Sequence, residues 1–188
     1  MQINLIQSKT LLTRVSGYLK GVCSHSLNPY GGCGYGLSSC GEGCYVRFNP
    51  WLTRGREWGK FVDVKINADE LYIQSVKMEK NWAHKRSIPF AIFMSSSTDP
   101  WQPAEKKYRV TRAVLHAMVA CPPDTLILQT HSTSILDDQE TLLKLAQLCS
   151  LRIHLSIEGD RNRLPGLPPP PCSIEKRISA LQQLSARG

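Results

Sequence analysis

FAIFMSSSTDPWQPAEKKYRVTRAVLHAMVA, residues 90–120, is the stretch that decides the fold. Phe90 to Ser95 is a continuous apolar run of strand length, and SSTDPWQP after it is a polar, proline-broken loop. From Ala104 to Ala120 the apolar residues Val110, Val114, Leu115 and Met118 recur at helical spacing. CPPD (121–124) stops that helix, and the same sequence of strand, loop and helix begins again. TLILQT (125–130) predicts a buried strand. Asp137 or Asp138 can cap a helix through Cys149 whose apolar face is Leu142, Leu143, Leu145 and Leu148. LRIHLSI (151–157) predicts a third strand, and residues 173–186 a last helix capped by Ser173. Strands returning through helices of this length predict parallel βα units of an α/β fold, with the helices outside a sheet or barrel. Polar residues gather after each strand, at Ser96 to Gln102, His131 to Ser134 and Glu158 to Arg163. Ligands of such folds bind at the carboxyl ends of the strands, so these loops are expected on one rim.

Upstream, residues 15–24 (VSGYLKGVCS) predict a first strand and Phe61 to Ile66 a second, with Ala68 to Trp82 a helix capped by Asn67 or Asp69. Residues 28–59 are rich in Gly, Asn and Pro and carry a cysteine cluster. LPGLPPPPC (164–172) is too short for an interdomain linker and reads as a rigid loop over the rim. The whole chain, 1–188, is expected to form a single domain.

Hydrophobic content of 41% and charged content of 20% are those of a globular chain and exclude wholesale disorder. A net charge of +8, from 23 Lys+Arg against 15 Asp+Glu, favours anionic partners such as nucleic acid, phosphorylated metabolites or an acidic protein. There is no apolar run long enough to span a bilayer and no signal-peptide pattern at the N-terminus, so no membrane partner and a cytoplasmic location are expected.

Four of the seven cysteines fall between residues 23 and 44. In a reducing compartment such clustering points to metal or redox chemistry rather than to disulfides. Cys33-GYGLSS-Cys40-GEG-Cys44 places three thiols among five glycines from Gly32 to Gly43. Glycines let the backbone wrap closely around an inorganic cluster, and thiolates are soft ligands suited to iron–sulfur or zinc. Three cysteines leave one iron of a cluster open, whereas structural zinc needs a fourth ligand, for which Cys23 or His25 is available. Cys121 and Cys149 lie in apolar stretches and read as buried small hydrophobes.

SHSLNPYGGC (24–33) followed by CYVR (44–47) resembles the cluster loop of radical S-adenosylmethionine proteins in the spore photoproduct lyase-like (DNA repair photolyase-like) group. STDPWQPAEKKYRVTR (97–112), LILQTHSTSILDD (126–138) and LRIHLSIEGD (151–160) resemble the segments that follow in that group. The cysteine spacing differs: the group has three and then two intervening residues, and this chain has six and then three. Gly43 stands where the group has an aromatic residue beside the adenine, and Tyr35 and Tyr45 are the nearby aromatics.

The resemblance implies a partial parallel (βα) barrel of radical S-adenosylmethionine type, with strands missing at the C-terminus, and a cluster-binding region at 28–59. It implies a 4Fe–4S cluster on Cys33, Cys40 and Cys44, with S-adenosylmethionine on the open iron. It further implies reductive cleavage to a 5′-deoxyadenosyl radical in a lyase-like enzyme served by a flavodoxin or ferredoxin. Ser96, Ser97, Thr98 and Asp99 are candidates for the methionine or ribose end of the cofactor, and Ser156 and Glu158 for a further contact. Asp99 also fits an Asp-Pro turn, and Ser156 a strand serine bonded to backbone. A zinc-binding nucleic-acid module and a catalytically silent shortened remnant are the alternatives. Arg47, Arg54, Arg56 and Lys60, interleaved with Phe48, Trp51 and Trp58, suit a grip on nucleic acid or a solvated loop. His25 and His131 are candidate acid–base groups or supports of the loop and strand ends.

Overall fold

The computed structural model describes residues 1–187. The strands are β1 (Gln2–Ile6), β2 (Leu12–Arg14), β3 (His25–Leu27), β4 (Tyr30–Gly32), β5 (Phe61–Lys65), β6 (Ala91–Met94), β7 (Thr125–Thr130) and β8 (Ser150–Leu155). The helices are α1 (Ser39–Glu42), α2 (Pro50–Thr53), α3 (Ala68–His84), α4 (Glu105–Tyr108), α5 (Val110–Ala120), α6 (Gln139–Leu148) and α7 (Ile174–Ser185).

Five strands form one sheet in the order β2-β3-β6-β7-β8. β3, β6, β7 and β8 run parallel, and β2 joins antiparallel at one edge. The spatial order follows the chain order without reversal. A doubly wound sheet reverses at its switch point; crossovers of one hand in an unreversed order place their helices on a single face. The packing agrees. Ile92, Met94, Leu126 and Leu128 are fully buried in one core with Val114, Leu115, Met118, Leu142 and Leu145 of α5 and α6. Ser26, Phe93, Gln129, Arg152 and His154 alternate with that set and point to the other face, where they are half-buried or exposed, while Ala91 and Ile127 on that face are buried. The sheet does not close on itself. The fold among the described residues is therefore mixed α/β with a parallel, singly wound core and an open second face.

β1, β5 and β4 form a separate three-stranded sheet, with β1 parallel and β4 antiparallel to the central β5. The strand expected over 61–66 is present at Phe61–Lys65, but its removal from the main sheet and the N-terminal strand it pairs with are not foreseen. The strand expected at 15–24 is a correction. Gly17 takes a φ of +61° and starts a 3₁₀ turn through Gly21, so the extended segment begins only at His25.

The helix expected over 104–120 breaks at Arg109, which takes a φ of +55°. Glu105 makes the break tolerable: its carboxylate accepts from the backbone N–H groups of Thr111 (2.9 Å) and Arg112 (3.1 Å) at the start of α5. Ser173 caps α7 as expected, accepting from Lys176 N at 3.3 Å. Asn67 and Asp138 occupy cap positions without capping. Asn67 instead ties α3 to Ser8 through a backbone pair of 2.9 and 3.0 Å. Asp138 takes the Trp101 indole N–H at 2.7 Å and the Arg112 guanidinium.

Candidate thiol-lined site at the strand ends

The chain after β4 turns back on itself from Cys33 to Phe48, using α1 and a 3₁₀ turn at Tyr45–Phe48. Its path depends on glycines meeting backbone to backbone. A Cβ on Gly36 would fall 2.4 Å from Gly59 Cα, and one on Gly41 2.1 Å from the Gly36 carbonyl oxygen. Any side chain at either position forces the loop apart. Gln102, in the loop after β6, binds Gly34 N through its amide oxygen at 2.7 Å. Tyr45 donates its hydroxyl to the Ser96 carbonyl. Ser39 N donates to Pro169 O at 3.1 Å, so the proline-rich loop reaches the cysteine loop.

These contacts enclose a cavity of about 460 Å³, lined by Cys33, Cys40 and Cys44 from the loop, Ser95 to Asp99 after β6, Gln129 and His131 at the end of β7, and Glu158 after β8. Tyr35, Tyr45 and Trp58 supply aromatic wall. Cysteines, serines and Glu158 expected on one rim are thus brought together. Ser156 is not among the lining residues: its N–H donates to Thr130 O at 2.9 Å and its carbonyl accepts from Arg177, so it links β8 to β7 and α7. Cys23 and His25 are also outside the cavity. Cys23 faces Leu19 O, and His25 is buried against Trp82 and Phe90, bonded to Ser24 Oγ and to Glu79 at 2.9 Å. Neither is therefore among the residues that line the cavity with the three cysteines.

Two of the expected polar residues are engaged in holding the loop itself. Asp99 Oδ1 accepts from Trp101 N at 2.9 Å and Thr130 Oγ1 at 2.8 Å, and Oδ2 from His131 N at 2.7 Å. The Asp-Pro turn and the rim position are thus both real. Thr98 Oγ1 donates to Gly32 O at 2.7 Å. Ser96 Oγ accepts from Asn28 Nδ2 at 3.1 Å, which leaves its own proton free to donate. Ser95 is the residue the sequence did not single out: it takes a φ of +86°, and its buried hydroxyl has no hydrogen-bond partner in the protein. A strained residue with an unsatisfied hydroxyl at a cavity wall is a feature of binding sites.

All seven cysteines are free thiols. Burial, reinforced by the Asp99 carboxylate, pushes the Cys33 thiol up to about 12. Cys40 is raised as well, by burial first and then by the charges of Cys33, Cys44, Asp99 and Glu158. Both shifts hold these thiols in the neutral form, so ligation by their thiolates requires a cation that displaces the proton.

The fold and cavity define a parallel βα protein with a thiol-lined site at the carboxyl ends of its strands. The chain is 32% identical over 164 residues to an uncharacterized protein of Methanocaldococcus jannaschii, an alignment covering 86% of this chain and 55% of that protein. It therefore spans about half the length of the curated relative it matches. No family model and no solved structure matches the chain. No helix among the described residues is long and apolar enough to cross a membrane.

Proposed function

We propose that Cys33, Cys40 and Cys44 hold a 4Fe–4S cluster and that the chain carries out radical S-adenosylmethionine chemistry on an open, barrel-like βα scaffold. The observation that carries this reading is the convergence of the three thiols with Ser96, Ser97, Thr98, Asp99 and Glu158 around one cavity. The residues suit the group. Three free thiols line the cavity with no fourth cysteine among its walls, and its volume of about 460 Å³ gives space for an inorganic body. When bound, the reduced cluster supplies the one electron that splits the sulfonium of S-adenosylmethionine into methionine and a 5′-deoxyadenosyl fragment.

The chain's own residues bind and orient. The free hydroxyl protons of Ser95 and Ser96 are suited to the carboxylate or ribose of the cofactor, and Asp99 and Thr98 fix the loop that presents them. Tyr35, Tyr45 and Trp58 give an apolar wall that excludes water and accepts a flat base. Phe48 and Trp51, 74% and 88% exposed, lie within six residues of Tyr45 in sequence, which favours single-stranded nucleic acid as the macromolecular partner. The charged part of that surface is smaller than its sequence implies. Arg56 is bound to Asp63, Arg47 to Glu42 and Lys60 to Glu57, and Trp58 is buried.

Anaerobic reconstitution with iron and sulfide tests the first step: a brown protein with iron and sulfide in near-equal amounts is expected, and a colourless one overturns the reading. Chemical reductant, standing in for a flavodoxin or ferredoxin, together with S-adenosylmethionine tests the second. The expected product is 5′-deoxyadenosine, and a fully loaded cluster that gives none overturns the enzymatic part.

A further inference from the structure

Cys40 borders a second set of ligands. One donor atom each of Cys40, His131 and Glu158 lies within 4.8 Å of the other two, the one such group of His, Cys, Asp and Glu among the described residues. The three come from α1, the end of β7 and the loop after β8, so only the folded chain assembles them. His131 Nε2 and Glu158 Oε1 are 3.3 Å apart. Two ligands at about 2.0–2.1 Å from a tetrahedral zinc ion are separated by about 3.3 Å, so this pair already has the spacing of neighbouring ligands.

Outer contacts hold both ligands in place. Asp99 Oδ2 holds the His131 backbone N–H at 2.7 Å and lies 3.6 Å from Nδ1, on the side of the ring where a carboxylate backs a metal-bound histidine. Glu158 Oε2 accepts from Arg177 Nη1 at 2.7 Å, which turns Oε1 toward His131. Arg177 has no exposed side-chain surface, and Nη1 makes all its bonds, to Glu158 and to the Ser156 carbonyl. A buried guanidinium fixing a carboxylate from behind is a costly arrangement for an unused surface acid. Asp99 is held in turn by Thr130 and by the His131 backbone.

We infer that Cys40, His131 and Glu158 form a mononuclear site for a divalent ion of borderline softness, zinc or ferrous iron, with a fourth position open toward the cavity. One thiolate, one imidazole and one carboxylate suit such ions better than calcium or magnesium, which take oxygen ligands. Three protein ligands with an open position is the arrangement of catalytic rather than structural zinc. The open position lets the ion hold water or a ligand oxygen from the cavity. The site shares only Cys40 with the proposed cluster, so it belongs to the chain that holds no cluster, and a single ion and a cluster exclude each other.

Titration of the metal-free, sulfide-free 188-residue chain with Co²⁺, followed by competition with Zn²⁺, tests this. One equivalent should bind with a thiolate-to-cobalt charge-transfer band. H131N and E158Q should each weaken binding about tenfold or more, and C40S should abolish the band. C33S and C44S should leave both stoichiometry and band in place, although they remove the cluster. Loss of the band in C33S or C44S to the extent seen in C40S overturns the proposal, as does unchanged affinity in H131N and E158Q. Circular dichroism of each apo variant separates lost ligation from lost folding: C40S, H131N or E158Q with the wild-type spectrum and wild-type affinity counts against the site. Failure of the cluster leaves this titration untouched, because it uses neither sulfide nor S-adenosylmethionine.

Discussion

Asp99 and Thr130 are joined by a 2.8 Å hydrogen bond that ties the loop after β6 to the end of β7, and the other oxygen of Asp99 takes the His131 backbone N–H at 2.7 Å. One carboxylate thus sets the spacing of two neighbouring strand ends, and with it the distance from Ser95 and Ser96 to His131. Asp99 is buried, so each donor it satisfies has no water to turn to.

In Asp99→Asn one of the two oxygens becomes an NH₂ group, which must face a donor whichever way the amide turns. A loss of about 1–3 kcal/mol in urea unfolding is expected. His131 should also lose its orientation, weakening divalent-ion binding by about tenfold. Wild-type stability in this variant would show that the carboxylate is not what holds the two loops together.

The cysteines are expected to divide by position. C33S, C40S and C44S should each lose most of the iron and sulfide taken up on anaerobic reconstitution, because all three thiols line the cavity. C23A and C149A should keep it: Cys23 faces Leu19 O, and Cys149 faces Leu145 O at 3.3 Å. Iron and sulfide analysis of the five proteins decides. Equal loss in C23A would return Cys23 to the ligand set.

The parallel half of this fold is legible because its code is local. FAIFM, TLILQT and the leucines of α6 carry length and period within single segments. β1 is not legible in the same way: QINLI is short and half exposed, and only its pairing with β5 makes it a strand. The break at Arg109 is invisible too, since it depends on the Glu105 carboxylate reaching ahead to the next two free amides. At the site, three cysteines within twelve residues announce themselves. Cys40, His131 and Glu158 span more than a hundred residues, and no spacing rule connects them. Ser95 reads as the end of an apolar strand, and its positive φ appears only when the β6 loop must turn into the cavity.

Single-stranded nucleic acid should stack on Phe48 and Trp51, two large exposed aromatics that follow the cysteine loop in sequence. F48A/W51A should weaken binding of a short oligonucleotide by about tenfold or more, at about 1–3 kcal/mol per stacked base. Fluorescence anisotropy at two salt concentrations checks this: the affinity should fall with salt, and the double variant should keep that slope because it removes no charge. Equal affinity of wild type and variant would remove this surface from the partner's path.

Acid sensitivity is expected from Asp63. Arg56 grips its carboxylate with two bonds of 2.8 and 2.6 Å while lying 3.7 Å from the Phe61 ring, and Asn4 adds a third at 2.8 Å. The Arg56 guanidinium holds the Asp63 carboxyl below its ordinary value of 3.8, with Asn4 and the more distant Arg54 acting in the same direction against burial. The folded state therefore binds its proton less readily than the unfolded chain. Stability from this contact is fully present above the ordinary carboxylate range and is lost as pH falls through the folded value. Asp63→Asn should cost about 1–2 kcal/mol at neutral pH, and the gap to wild type should narrow as urea unfolding is repeated down to roughly pH 3. Both β1 and β4 pair with β5, so the loss should loosen the three-stranded sheet and the cysteine loop that follows β4. A gap that stays constant with pH would mean that the asparagine costs packing and not charge.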